Sequence, residues 1–346
     1  KMVKLAAGQY SVNSTSDTVD ANTGDGICGD SLGNCTLRAA ITQANALSGA
    51  DTITVPPGTY TLSIPGAGDD TGATGDLDLG GELTIIGAGA STTMVNGAAL
   101  DRVFHVVHGS SVISGLTIEN GFADSAGGIL NHANLTLNSS TVRGNTASYP
   151  VFGLLGVGGG IDSGGIGAVL MLNNSTVSGN SATYIAGGIH TVGTTTINQS
   201  TLSGNMSGND GGGIAIIGGP VTINSSTISG NTASSSGGGV SGDATLNNST
   251  VSGNSASIFG GGIFNQAGST TLKNTIVANS SPADCWGTMA SLGHNIAGDG
   301  SCALGGAGDL NSANPILGPL ENNGGATLTH ALRYDSPDID AGTPDC

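Results

Sequence analysis

Asp162 and His190 are the two side chains of this sequence best placed to move a proton. Each follows a glycine pair and a branched apolar residue, as Gly159-Gly160-Ile161-Asp162 and Gly187-Gly188-Ile189-His190. The same signature occurs at Gly127-Gly128-Ile129, Gly212-Gly213-Ile214, Gly238-Gly239-Val240 and Gly261-Gly262-Ile263. If the branched residue points inward, the next one points outward. That outward position holds Leu130, Asp162, His190, Ala215, Ser241 and Phe264 in turn. A carboxylate and an imidazole at one position of neighbouring repeats make an acid–base pair. Asp210, just before the next glycine cluster, is a third candidate catalytic residue. A surface Asp and His also fall together at one repeat position without any role. Asp124, Asp162, Asp210 and Asp243 do not share a single repeat position, which weakens a two-carboxylate glycosidase reading.

Other residue groups suggest other chemistry. Asp69, Asp70, Asp76 and Asp78 form one oxygen-rich loop, and Asp17, Asp20, Asn22 and Asp25-Gly26 form another. Both are candidate calcium loops by composition, although neither has EF-hand spacing and solvated acidic turns are common. Cys28 and Cys35 flank a Gly-Asp-Ser-Leu-Gly-Asn turn, and Cys285 and Cys302 flank a glycine-rich loop. Neither pair has zinc spacing, so two local disulfides stapling the two irregular ends are expected. Cys346 is left as free, intermolecular or a product of processing. Within the repeats only Arg102, Arg143 and Lys273 are basic. A lyase that abstracts a proton from a uronate needs a basic acceptor, so elimination is the weaker enzymatic reading.

The elements that must position these residues follow from a second signature. An apolar residue with Asn three later recurs as Val142/Asn145, Val177/Asn180, Leu202/Asn205, Ile228/Asn231, Val251/Asn254 and Ile276/Asn279. Repeats of about 25 residues with short alternating strand patterns, and no helical period inside them, predict a parallel β-helix. Each coil buries its apolar face by stacking on its neighbours. The glycines are expected to serve bends with positive φ, and the Asn residues to stack as a buried amide ladder. The longest interval, between Asn145 and Asn180, holds the apolar insertion 149–157, which would wall a groove beside Asp162. Thr141/Arg143, Thr176/Ser178, Thr201/Ser203, Thr227/Ser229 and Thr250/Ser252 should form an outward stripe, mostly of hydroxyls.

Leu37, Ala40, Ile41, Ala44 and Leu47 follow the helical period, so residues 36–48 read as a short helix that plugs the open end of the solenoid. The expected organisation is an N-terminal region 1–50 with the disulfide loop and capping helix, a β-helix over 51–281, and an irregular C-terminal cap over 282–346. Composition agrees. Gly is 62 of 346 residues, aromatics are 3% and charged residues 9%, so the core must be ladders of small and branched side chains.

Several segments carry a resemblance. Cys35-Thr36-Leu37-Arg38-Ala39-Ala40-Ile41 resembles the stretch that gives the bacterial Cys-Ser-Leu-Arg-Glu-Ala-Ile family its name, departing at Thr36 and Ala39. Pro57-Gly58-Thr59-Tyr60 and Ile85-Ile86-Gly87-Ala88-Gly89 are similar to the opening coils of pectate-lyase-like β-helices. The glycine and Asn signatures resemble those of polymorphic outer-membrane proteins, with Val, Leu or Ile in place of Phe. Residues 323–330 and 336–342 look like the end of large secreted or surface-anchored proteins. The resemblance implies a right-handed parallel β-helix at or outside the bacterial surface. It implies no single activity, because this fold hosts lyases, hydrolases, adhesins and structural proteins.

A net charge of −17 argues against nucleic acid and anionic membranes as partners. No apolar run is long enough to span a bilayer, and no signal peptide opens the chain, which fits a mature exported form. The expected function is a secreted or cell-surface structural or adhesive protein whose partner is an extracellular polysaccharide or another surface protein. The alternatives are a carbohydrate-active enzyme working at Asp162 and His190, and a water-ordering, ice-binding surface on the hydroxyl stripe.

Overall fold

Strands of two to six residues, separated by Gly, Asn and Ser turns, wind into a right-handed parallel β-helix. The computed structural model describes residues 7–148 and 156–342. Two long sheets hold eleven strands each, a third holds nine, and a fourth, made of two-residue strands, holds six. Every pairing within these four sheets is parallel. At a strand spacing of about 4.8 Å, eleven strands make a rod of about 50 Å.

The core consists of aligned columns. Ile129, Ile161, Ile189, Ile214, Val240 and Ile263 stack on one face, fully buried. Val142, Val177, Leu202, Ile228, Val251 and Val277 do the same on another. The amide ladder is present. Asn145, Asn180, Asn205, Asn231 and Asn254 are buried, and each of the last four accepts the backbone N–H of the one before it at 3.0 Å. Each of these amides also donates to a main-chain carbonyl of the preceding coil, as Asn205 does to Val177 at 3.0 Å. One expectation shifts by a residue. The inward position of the last regular coil is Val277, not Ile276, so Asn279 lies outside the ladder and instead donates to Ser252.

The glycine pairs also differ from expectation. The positive φ belongs to the residue before each pair, at Ala126, Gly158, Ala186, Gly211, Gly237 and Gly260. The pairs are glycine for another reason. A Cβ on Gly188 or Gly213 would run into the carbonyl oxygen of the next coil, so the tight stacking leaves no room for one.

The ends are closed as the helical and cysteine patterns suggest. The helix Leu37–Ala46, which we call α1, begins on an N-cap Thr36 whose side chain accepts the N–H of Ala39. Arg38 is buried inside this plug. It pairs with Asp17 at 2.6 Å and donates to the carbonyls of Gly72, Gly75 and Asp76. Cys28–Cys35 and Cys285–Cys302 are both bonded. The sheets reach beyond 51–281, since Gln9–Ser11 pairs with Thr52–Thr54, and Leu310–Asn311 ends a long sheet. The antiparallel hairpin Leu317–Glu321 and Thr329–Leu332 then folds back along the rod. It covers part of the hydroxyl stripe, with Thr201 donating to the Leu328 carbonyl at 2.6 Å and Ser229 bonded to His330 at 2.9 Å. Arg143, at the other end of that stripe, pairs with Glu119 of the preceding coil at 2.8 Å.

Candidate functional site

The nine-stranded sheet carries one unbroken outward row. Its rungs are Asp78, His105, Leu130, Asp162, His190, Ala215, Ser241, Phe264 and Trp286, each paired with the next. Successive rungs are about 4.8 Å apart. Turns fold over much of the row, so Asp162 is only 6% exposed although it lies on the outer side of its strand.

Asp162 and His190 are joined as the repeat alignment predicts. His190 Nδ1 lies 2.7 Å from Asp162 Oδ1. The second carboxylate oxygen accepts the hydroxyl of Ser125 at 2.7 Å. Both oxygens of Asp162 are therefore committed, and the carboxylate is held in one orientation. An imidazole that gives its Nδ1–H to a carboxylate keeps a lone pair on Nε2 when neutral. His190 can then take a proton at Nε2 and return it. The insertion expected to wall this site is mostly outside the described residues, which resume at Gly156, and Cys346 also lies outside them.

Asp210 does not join this pair. It caps the next coil by accepting the N–H of Ser236 at 2.9 Å, and it lines a separate cleft of about 450 Å³ with Ser241, Asp243, Phe264 and Asn265. Beside that cleft, Phe259, Phe264 and Trp286 form a cluster with ring centroids 4.9 to 6.3 Å apart. Phe259 and Trp286 are 42% and 38% exposed. In a sequence with one Trp and five Phe, this cluster takes the only Trp and two of the Phe.

The four acidic residues of the first candidate calcium loop do not converge. Asp69 is spent on its own loop, accepting the N–H and hydroxyl of both Thr71 and Thr74, and these bonds hold its carboxyl down at about 2 although partial burial works the other way. Asp76 faces Arg102 at 3.4 Å. Burial pushes its carboxyl up to about 7 despite that cation. Only Asp70 and Asp78 come together, and they meet His105, whose Nδ1 is 3.4 Å and 3.1 Å from their Oδ1 atoms. The second loop is likewise used up. Asp17 binds Arg38, Asp20 accepts the N–H of Asn22 and Gly29, and Asp25 accepts that of Ile27. Among the described residues, neither acidic loop offers an all-oxygen calcium cage.

His105 continues to His132, whose Nδ1 lies 3.1 Å from its Nε2. Partial desolvation, and then the neighbouring His105, draw His132 below the usual imidazole range. His105, His132, Ser125, Phe259 and Trp286 were not legible from the glycine signature. The coil with His105 has no glycine pair, and Trp286 follows a cysteine. The strand pattern of Val103-Phe104-His105-Val106 was the available signal, had the outward row been extended toward the N-terminus.

No family model matches the chain, and no curated protein matches it. Among solved structures it is similar to the crystal structure of pectate lyase Pel9A, with a TM-score of 0.55 and 14% identity, covering 98% of this chain and 92% of that one. At that identity the likeness concerns the fold alone, a parallel β-helix.

Proposed function

We propose that the protein is an exported β-helix that binds an extended, uncharged polysaccharide over the face of its nine-stranded sheet, at the exposed rings of Phe259 and Trp286. The observation that carries this reading is the row itself. One register position joins the Asp162–His190 pair to the Phe264–Trp286 rings, three and four strand spacings beyond His190. Flat aromatic faces beside polar groups suit sugar rings, which are apolar on one side and hydroxylated at the edge. The two disulfides fit an oxidising compartment outside the cell. An uncharged glycan is favoured over a uronate because Arg102, the basic side chain just before the strand that carries His105, is already paired with Asp76. The fold of a lyase is compatible with this reading and does not extend to its substrate.

The buried, oriented Asp162–His190 pair favours a second reading, in which bound glycan is also cleaved. The partly covered hydroxyl stripe counts against the ice-binding alternative.

The single tryptophan makes the test direct. Titration with soluble neutral hexasaccharides of several linkages, followed by fluorescence excited at the red edge where the five tyrosines do not absorb, reports only on Trp286. A saturable change that is lost in Phe259→Ala supports the binding reading. A flat response to every glycan, with polygalacturonate included for contrast, overturns it. Release of reducing ends in the same samples separates cleavage from binding.

A further inference from the structure

At the N-terminal end of the same row, three ligand atoms converge in a way that no glycan contact requires. Asp70 Oδ1, Asp78 Oδ1 and His105 Nδ1 all lie within 4.8 Å of one another, with His105 Nδ1 at 3.1 and 3.4 Å from the two oxygens. We infer that these three residues bind a divalent first-row transition cation, for which zinc is the closest fit. Ligands about 2.1 Å from a tetrahedral zinc stand about 3.4 Å apart. The spacing found here needs only small adjustment to meet that figure.

The surroundings are arranged as a coordination site requires. Asp78 is fully buried, and its other oxygen is occupied by the N–H of Gly72 at 2.7 Å, so a cation would take the place of the proton between Oδ1 and His105 Nδ1, now 3.1 Å apart. Asp70 comes from the loop that Asp69 holds with four hydrogen bonds, so it is presented from a fixed turn. For His105 to ligate through Nδ1, its proton must sit on Nε2. The Nδ1 of His132 is positioned to accept that proton's hydrogen bond, as outer partners of metal-bound histidines commonly do.

The donor set also decides which ion. Calcium takes six to eight oxygens, and magnesium prefers water and oxygen, so a nitrogen with two carboxylates is a poor match for either. Two oxygens and one imidazole nitrogen suit zinc, cobalt or manganese, with zinc preferred by geometry. The fourth position opens toward a cleft of about 530 Å³ between α1 and the face, lined by Thr42, Asn45, Asp70, Asp78 and His108. Three protein ligands with an open fourth position are the arrangement of a cation that accepts an exchangeable oxygen ligand. This inference does not depend on the glycan reading, and either can fail alone.

Equilibrium dialysis of the full, chelator-stripped chain against zinc chloride should retain one zinc per chain. Cobalt chloride should give visible absorption bands of four- or five-coordinate strength. Asp70→Asn should weaken retention at least tenfold, and His105→Gln should abolish it. Calcium at the same concentration should not displace zinc. Asp70 has a side chain 67% exposed, so Asp70→Asn is expected to fold. It decides the matter if His105→Gln does not. Failure to retain zinc, equal retention by Asp70→Asn, or displacement by calcium would each overturn the assignment.

Discussion

Asp162 orients the His190 ring, and Ser125 in turn holds Asp162. If bound glycan is cleaved, His190→Ala and Asp162→Asn should each reduce turnover by about a hundredfold or more. The Trp286 fluorescence response to glycan should persist in both, because the rings are several coils away. Loss of binding together with turnover would instead mark the pair as a contact. This pair was readable in advance because both residues sit in coils with intact glycine signatures. His105 was not, since its coil lacks that punctuation and its partners come from a loop and from the next coil. A different residue tests the ladder. Asn231 gives up its N–H to Asn254, accepts from Asn205 and reaches the Leu202 carbonyl. Asn231→Leu leaves those buried groups unpaired and should cost about 1–3 kcal/mol in chemical denaturation.

The turns that carry the glycine pairs are tight. Gly213→Ala places a methyl against the Gly239 carbonyl of the next coil. Its expected cost is about 1–3 kcal/mol by overpacking, read as a lower unfolding midpoint. An unchanged midpoint would show that the coils can part at that corner. Periodicity alone located these turns but assigned the wrong cause, because a sequence does not show how closely two coils approach. The same blindness placed Asn279 on the ladder, whereas strand register puts Val277 inward and moves Asn279 to the rim. In the C-terminal cap, burial pushes Asp284 up to about 6, against the N–H bonds it accepts from Ser280 and Asp299. A carboxyl whose folded value exceeds its unfolded one stabilises the protein below about pH 4, and that contribution is lost as pH rises through about 6. Asp284→Asn cannot titrate. Its stability relative to the wild type should therefore improve by roughly 1–2 kcal/mol from pH 4.5 to 7, after solvent screening is allowed for. A constant difference in midpoint across that range would refute the role of Asp284.

Among the described residues the protein is a rod whose coils touch their neighbours, with the returning hairpin as the exception. Composition and period made that architecture legible, since few large side chains leave stacking as the remaining way to build a core. The hairpin over Thr201 and Ser229 was not legible, because nothing in residues 317–332 encodes which face they revisit. The parallel ladders run along the rod axis, so a pull on the two ends loads their hydrogen bonds one rung at a time. The rod should then yield by peeling. Each coil of about 25 residues would release about 80–90 Å of slack when it opens, against the 4.8 Å it spanned while wound. Near the C-terminus the Cys285–Cys302 bond withholds the residues it encloses, so the step there should be shorter until a reductant is added. Single-molecule force spectroscopy should show a sawtooth of nearly equal steps, with one that lengthens under reducing conditions. A single all-or-none rupture would contradict it. A tether of this kind would let whatever it holds drift away under flow without letting go.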